Sequence, residues 1–327
     1  GVETHVDIIR LRNGSLVERV TIGMRTDEFD DLTFGPGTVA WAPDGHTIAF
    51  VAKKGPRDLI LLWDMYDKKL KKSIDFGELE IIESLDWSPD SRRLAFVGTG
   101  SGQSDIYFVE MGSGELTQVT GTPQREDHPA WSPDGSQLAF SAKYRGQFDI
   151  RVHEVESGRT RPLITSPTDD LWPQWLPEGN KILFVSTRKR INDLFVYHLD
   201  TGEEFRLTRT VSGVMSPSLS PDGKEIVLAT YYHSRRELYR MDMPSWPEVR
   251  TQSELLAARA QAHRPAVSSA PDTPARTVAA DAVSVAATSP AARVGLADAV
   301  AVLDPCGFFV AKDLGSVRLE RLNVSLQ

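Results

Sequence analysis

The stretch Pro129-Ala130-Trp131-Ser132-Pro133-Asp134-Gly135 returns along the chain at a nearly fixed interval. Trp41-Ala42-Pro43-Asp44-Gly45 and Trp87-Ser88-Pro89-Asp90-Ser91 precede it. Trp175-Leu176-Pro177-Glu178-Gly179 and Leu219-Ser220-Pro221-Asp222-Gly223 follow it. The first residues of these five copies lie 46, 44, 44 and 44 positions apart. A period of that size means stacked supersecondary units, and it falls in the range of four-stranded propeller blades.

Each copy has a physical reading. Ser-Pro-Asp-Gly suits a tight type I turn: Ser at the first corner, Pro presetting φ at the second, Gly tolerating the exit. The Trp before it ends an incoming strand and can bury about 150–250 Å². At roughly 25 cal/mol per Å² that is about 4–6 kcal/mol of gross burial. Apolar residues three and four apart, which a helical repeat needs, are missing. Each turn is followed instead by an alternating run, such as Thr47-Ile48-Ala49-Phe50-Val51 or Lys181-Ile182-Leu183-Phe184-Val185, which predicts a short strand.

The rest of the unit recurs too. An acidic residue opens a third strand at Asp58, Asp105, Asp149, Asp193 and Glu237, in steps of 47, 44, 44 and 44. A Gly turn follows, as in Thr201-Gly202-Glu203, and then a fourth strand ending in Thr, as in Phe205-Arg206-Leu207-Thr208. Four antiparallel strands per unit make one blade. Trp-Ser-Pro-Asp-Gly, an alternating strand, Asp-Ile-Tyr, Thr-Gly-Glu and Leu-Thr together resemble the TolB-like β-propeller repeat over about residues 1–245. The resemblance implies an all-β propeller, a bacterial cell-envelope or periplasmic setting, and action by protein recognition. Similar blades also form the substrate-gating domains of prolyl-oligopeptidase-like and tricorn-like serine peptidases, so that role is the alternative. Neither function follows from the scaffold itself.

Composition excludes several classes. A formal net charge of −8 disfavours nucleic acid, which rewards cations on its phosphates. The single cysteine, Cys306, permits no intrachain disulfide and no CxxC metal site. No apolar run reaches the roughly 20 residues of a membrane helix, so direct membrane insertion is not expected. No signal peptide is visible, and a start at Gly1 reads as a processed or excised fragment.

In chain order, residues 1–247 read as the propeller. Val6–Leu11, Asn13-Gly14 and Leu16–Thr21 form a hairpin matching the last two strands of a blade. Residues 39–75, 85–120, 130–165 and 174–210 read as four full blades. A fifth begins near Met215, and Pro244 and Pro247 stop its third strand. Residues 248–294 are rich in Ala, Ser, Thr and Pro and read as a disordered linker. Residues 295–327 turn apolar and offer possible closing strands. The expectation is five recognisable blades, six if the tail closes the ring and removes exposed sheet edges.

Chemistry is sparse. There is no Gly-x-Ser-x-Gly elbow for a hydrolase nucleophile. His153-Glu154 lacks the second His of a zinc helix. Gly98-Thr99-Gly100-Ser101-Gly102 joins two strands and lacks the dinucleotide spacing. Some TolB-like pectate lyases hold a metal in the channel, but only His128 stands next to an innermost strand, and catalytic zinc needs about three protein ligands. No enzyme activity, cofactor or metal is expected.

Loop charge is more informative. Inter-blade loops are acidic: Asp27-Glu28-Phe29-Asp30-Asp31, Glu78-Leu79-Glu80, Glu126-Asp127 and Asp169-Asp170. Loops from second to third strand are basic: Lys53-Lys54 with Arg57, Lys143 with Arg145, Arg188-Lys189-Arg190, and Arg235-Arg236. Both sets share one face, so an acidic inner zone inside a basic outer one is expected. The bland alternative is solvated loops paired with each other, worth about 0–1 kcal/mol per pair. The functional reading is a docking face for a protein partner (an envelope protein or lipoprotein) or a peptide. Its candidate contacts are Glu126, Asp127, His128, Asp169, Asp170, Trp172, Met215, Arg188 and Arg190, with Phe29 a further apolar anchor. Trp41, Trp87, Trp131 and Trp175 are assigned to the core.

Overall fold

In the computed structural model the described residues are 5–10, 15–21, 29–33, 35, 37–188, 190–210, 212–232, 235–244, 300–303, 309–312 and 320–322. The chain divides into one unit of residues 1–249 with 298–327 and another of residues 250–297. The second unit, and with it almost all of the expected linker 248–294, lies outside the described residues. No helix occurs among the described residues.

The expected first hairpin is present as β1 (His5–Arg10) and β2 (Ser15–Thr21). The first blade has a split innermost strand, β3 (Asp31–Leu32) and β4 (Val39–Trp41), then β5 (Thr47–Lys54), β6 (Arg57–Asp64) and β7 (Lys69–Ile74). The second runs β8 (Ile81–Trp87), β9 (Arg93–Gly100), β10 (Gln103–Glu110) and β11 (Leu116–Gln118). The third runs β12 (Glu126–Trp131), β13 (Gln137–Tyr144), β14 (Gln147–Glu154) and β15 (Arg159–Ile164). The fourth runs β16 (Asp170–Trp175), β17 (Lys181–Ser186), β18 (Asp193–His198) and β19 (Glu204–Arg206). The fifth has β20 (Met215–Leu219), β21 (Glu225–Tyr232) and β22 (Arg235–Asp242).

Three strands come from the far end: β23 (Val300–Leu303), β24 (Phe309–Lys312) and β25 (Glu320–Leu322). β25 pairs β22 and is the fourth strand of the fifth blade. β23 and β24 extend the first hairpin into a sheet of order β2-β1-β23-β24, and every pairing in it is antiparallel. The protein is therefore an all-β propeller with five blades plus this further sheet. β4, β8, β12, β16 and β20 neighbour one another in sequence, and β24 lies beside both β4 and β20.

The repeat motif builds the turn expected of it. The amides of Gly135, Gly179 and Gly223 donate to the carbonyls of Ser132, Leu176 and Ser220, and Ser132 and Ser220 hydroxyls reach Asp134 and Asp222. Ser91 replaces the glycine in the second copy and still adopts φ 59°. Phe50, Phe96, Phe140 and Phe184 are fully buried at equivalent points of the second strands. Trp87, Trp131 and Trp175 are buried as expected, while Trp41 is half-buried against its cluster.

The recurrent third-strand Asp also has a structural task. Asp58, Asp105, Asp149 and Asp193 are buried. They accept the amides of Ile82 (3.0 Å), Thr122 (3.2 Å), Ser166 (3.4 Å) and Thr210 (3.0 Å). Each one ties its blade to the segment leading into the next.

Candidate functional site

The innermost strands begin earlier than their prolines suggest. The expected blade starts at 85, 130 and 174 move to Ile81, Glu126 and Asp170. Pro129, Pro173 and Pro217 sit inside these strands, where a proline normally ends a ladder. They fit because the innermost strand is a sheet edge facing the central channel, so no partner needs their N–H. One extra residue is absorbed at the same place in the second to fifth blades. Pairing steps from Asp127↔Ser141 to Ala130↔Ala139, from Leu171↔Val185 to Gln174↔Leu183, and from Met215↔Ala229 to Ser218↔Val227. The second blade does the same between Glu83 and Asp86. This is a β-bulge, which re-aims a side chain.

At each bulge one residue takes a left-handed backbone: Ser84 (φ 55°), His128 (φ 53°), Trp172 (φ 52°) and Ser216 (φ 44°). They are 44 residues apart, and Gly37 (φ 73°) serves the first blade. The left-handed form is disfavoured by about 1–2 kcal/mol per non-glycine residue. Its recurrence marks it as part of the blade plan. Its effect is to set Gly37, Ser84, His128, Trp172 and Ser216 around one cavity of about 440 Å³ on the channel. Pro89, Pro133, Pro177 and Pro221 of the turns line the same cavity.

Polar groups in the channel are few and definite. Asp86 accepts the amide of Trp131 at 2.7 Å across the seam between blades, and Gln174 accepts that of Leu219 at 2.8 Å. Burial pushes the Asp86 carboxyl up to about 7, against the opposing pull of the Trp131 amide. The rings of His128 and Trp172 meet edge-on at 5.1 Å. Burial holds His128 below the ordinary imidazole range, although Asp127 at 3.5 Å pulls the other way. The Trp172 indole N–H and the Ser216 hydroxyl are buried without a hydrogen-bond partner. Asp86 and His128 are the only acidic or imidazole side chains lining the cavity.

The expected acidic inner zone divides. Glu126, Asp127 and Asp170 are buried in innermost strands rather than exposed in loops. Glu126 is bonded by Thr120 and by Thr122 (2.9 Å), and burial raises its carboxyl despite them. Asp127 accepts Ser84 Oγ and Arg125 Nη2, each at 3.1 Å. Asp170 is paired at 3.0 Å with Arg188, which also grips Glu204 and lies over Phe184 and Phe195. Burial works against the Arg188 charge, but Glu204 and Asp170 outweigh it and the guanidinium is held charged. Asp169 is half-buried and accepts the Phe148 amide at 2.9 Å. Apart from Asp170 Oδ1, which is buried without a partner, these carboxylates are engaged within the fold and form no open acidic patch. Phe29 is likewise buried in the first blade, not an anchor.

His128, Trp172 and Met215 are half-buried at the channel end of their strands, and Arg190 is exposed. Asp127 pairs with Ser141, next to the loop that carries Lys143, Tyr144 and Arg145. The cavity lining runs from the bulges to the proline turns, whereas the basic loops stand at the opposite end, where the innermost strands begin. Lys54, Lys143, Arg145 and Arg190 are exposed there, as are Asp30, Asp31, Glu78 and Glu80. Asp27, Glu28, Lys189 and the side chains of Arg235 and Arg236 lie outside the described residues. Ser84, Asp86 and Ser216 were not legible as site residues. The signal that could have found them is their place in the repeat: Ser84 and Ser216 stand three residues before Trp87 and Leu219, and Asp86 stands one residue before Trp87.

Among the described residues, no group of three or more His, Cys, Asp or Glu is arranged to hold a metal ion. No described helix is long and apolar enough to cross a membrane, which leaves β-barrel crossing unaddressed.

The TolB beta propeller domain profile matches residues 77–273. No curated protein matches the sequence. Among solved structures, one assigned to TolB from Agrobacterium tumefaciens is 22% identical with a TM-score of 0.60, covering 74% of this chain and 86% of that one. TolB from Acinetobacter baumannii is 22% identical with a TM-score of 0.58, covering 73% of this chain and 61% of that one. Oligogalacturonate lyase in complex with manganese is more remote, at 16% identity and a TM-score of 0.52 over 70% and 69%. At such identities these structures speak for the fold. The repeat, the blade architecture and a profile match over more than half of the sequence agree: the chain belongs to the TolB beta propeller domain family.

Proposed function

We propose that this chain is a non-enzymatic scaffold of the bacterial cell envelope, periplasmic in location, that docks a protein partner over its channel mouth. The observation that carries the reading is the face itself. Exposed Lys54, Lys143, Arg145 and Arg190 gather at the end where the innermost strands begin, and Trp172 and Ser216 line the channel cavity further along those strands. Exposed rim charges steer association and select partners. Indole side chains at a recess are favoured anchors. Kinship with TolB propellers favours this reading over a peptidase gate. The partner belongs to the class of envelope proteins or lipoproteins.

The test is capture from bacterial envelope extract. The intact chain is compared with a variant carrying Lys54→Glu, Lys143→Glu, Arg145→Glu and Arg190→Glu. These side chains are exposed, so both proteins should melt alike. A protein retained by the first and lost by the second is the expected result. Identical retention would overturn the reading.

We also infer that the sheet β2-β1-β23-β24 closes the ring as a sixth blade, so that residues 295–327 belong to the fold. The position of β24 beside β4 and β20 supports this. Deleting residues 296–327 removes β23, β24 and β25 together. The expected result is a melting midpoint lower by more than about 5 °C. An unchanged midpoint would rule closure out.

A further inference from the structure

The cavity has a distinctive charge pattern. No Lys or Arg lines it, and its one carboxylate is Asp86. One Asp86 oxygen is held by the Trp131 amide, and among the described residues no second donor reaches the carboxyl. Trp172 offers an indole to the same space, with an unpartnered N–H, and Ser216 adds an unpartnered hydroxyl. Three of the surrounding backbone positions, Pro129, Pro173 and Pro217, have no N–H to offer.

Each feature narrows the occupant. A carboxylate or phosphate would meet Asp86 with no cation to offset it. A purely apolar group would leave Asp86 and the indole N–H desolvated and unpaired, which is unfavourable by about 1–3 kcal/mol per group. A strand cannot be zipped onto an edge interrupted by proline, so side chains must carry recognition. A guanidinium or ammonium suits the carboxylate and can lie against the indole.

We propose that the channel receives a basic side chain, Arg or Lys, from an extended segment of the protein partner, paired with Asp86 and resting on Trp172. This rests on the reading that the face docks a protein.

Proton linkage gives a signature that shape alone would not. Burial holds the empty-channel Asp86 up at about 7, so a cation binds best where the carboxyl is ionised. Affinity should therefore rise with pH through neutrality. Of the lining residues from β4, β8, β12, β16 and β20, only His128 could titrate alongside it. Its shift is downward, so it is neutral through most of that window.

The test titrates the full chain with the peptide acetyl-Gly-Gly-Arg-Gly-Gly-amide and with its Gln counterpart, following the indole N–H resonances. At pH 8 the Arg peptide is expected to bind at least about tenfold more tightly, and that advantage should shrink roughly tenfold by pH 6. Asp86→Asn keeps an oxygen for the Trp131 amide and should erase the advantage without lowering the melting midpoint. Trp172→Leu removes the aromatic face on which the guanidinium rests and should weaken the Arg peptide about three- to tenfold. Equal binding of Arg and Gln peptides would overturn the proposal. So would an advantage that survives Asp86→Asn, or no binding of either peptide up to about 10 mM. Free arginine amide binding as tightly as the peptide would assign the cavity to small cations and overturn the partner segment. If these fail while the basic rim still captures an envelope protein, the docking face stands and only its central contact falls.

Discussion

Trp131→Ala is expected to destabilise the protein by about 3–5 kcal/mol in denaturant unfolding, the range for truncating a buried large aromatic. Trp131 is 6% exposed. It packs with Ala95, Val97, Phe108, Leu138 and Phe140, joining the second and third blades. Its ring meets Phe108 edge-on at 5.8 Å, and the Arg93 guanidinium lies 6.0 Å from it. The site cannot collapse, because rigid strands from two blades frame the space. Trp131→Phe retains part of the area and should lie between the two. A neutral result for alanine would mean that the repeat Trp is not what joins adjacent blades. The Asp86 bond to the Trp131 amide is a main-chain contact and survives the substitution. The loss therefore reports packing alone.

Arg188→Met is expected to destabilise the protein by about 3 kcal/mol, the lower end of the range for breaking a buried ion pair. Asp170 is fully buried, and Arg188 is its cation at 3.0 Å. Removing the guanidinium strands that carboxylate with little water to take over. The lower end applies because the Arg188 side chain keeps 18% exposure and its second partner, Glu204, keeps 31%. Methionine preserves the stem over Phe184 and Phe195, which separates charge from packing. Asp170→Asn in the same chain should restore about half of the loss, since a neutral amide tolerates the site better. Double-mutant analysis of the unfolding midpoints checks this. If Arg188→Met is neutral, Asp170 is not paired in solution. If Asp170→Asn gives no rescue, the loss is packing.

The fold was largely legible, and the site was not. Five copies of one turn motif carry their own spacing, and spacing survives any error about individual side chains. The same regularity concealed where each innermost strand begins. Blade starts placed at or just before the repeat Trp, at 130 and 174, fall several residues inside the strands. Only the sheet order reveals that these strands have a free edge. The burial of Glu126, Asp127 and Asp170 was hidden for the same reason. A carboxylate before a proline looks like a loop residue until the strand and its partners, Thr122, Arg125 and Arg188, are in place. Asp86 carried no local mark, since its environment is supplied by strands from other blades. The hairpin at residues 5–21 was plain from its Asn-Gly turn, yet its partner strands lie almost the whole chain away.

That separation governs how the molecule can be made. Val300 pairs with Arg10, 290 positions earlier in the chain. On a ribosome adding about 5–20 residues each second, β1 waits on the order of 15–60 s for β23 to exist. Throughout that wait the inner edge of β1 can join any strand it meets, including its counterpart on a neighbouring nascent chain. Blades two to four close on themselves within about 40 residues and carry no such exposure. Expression yield should therefore depend on what shields the first hairpin during synthesis. A chaperone or a low density of translating ribosomes would protect it, whereas strengthening the repeats would leave that vulnerability untouched.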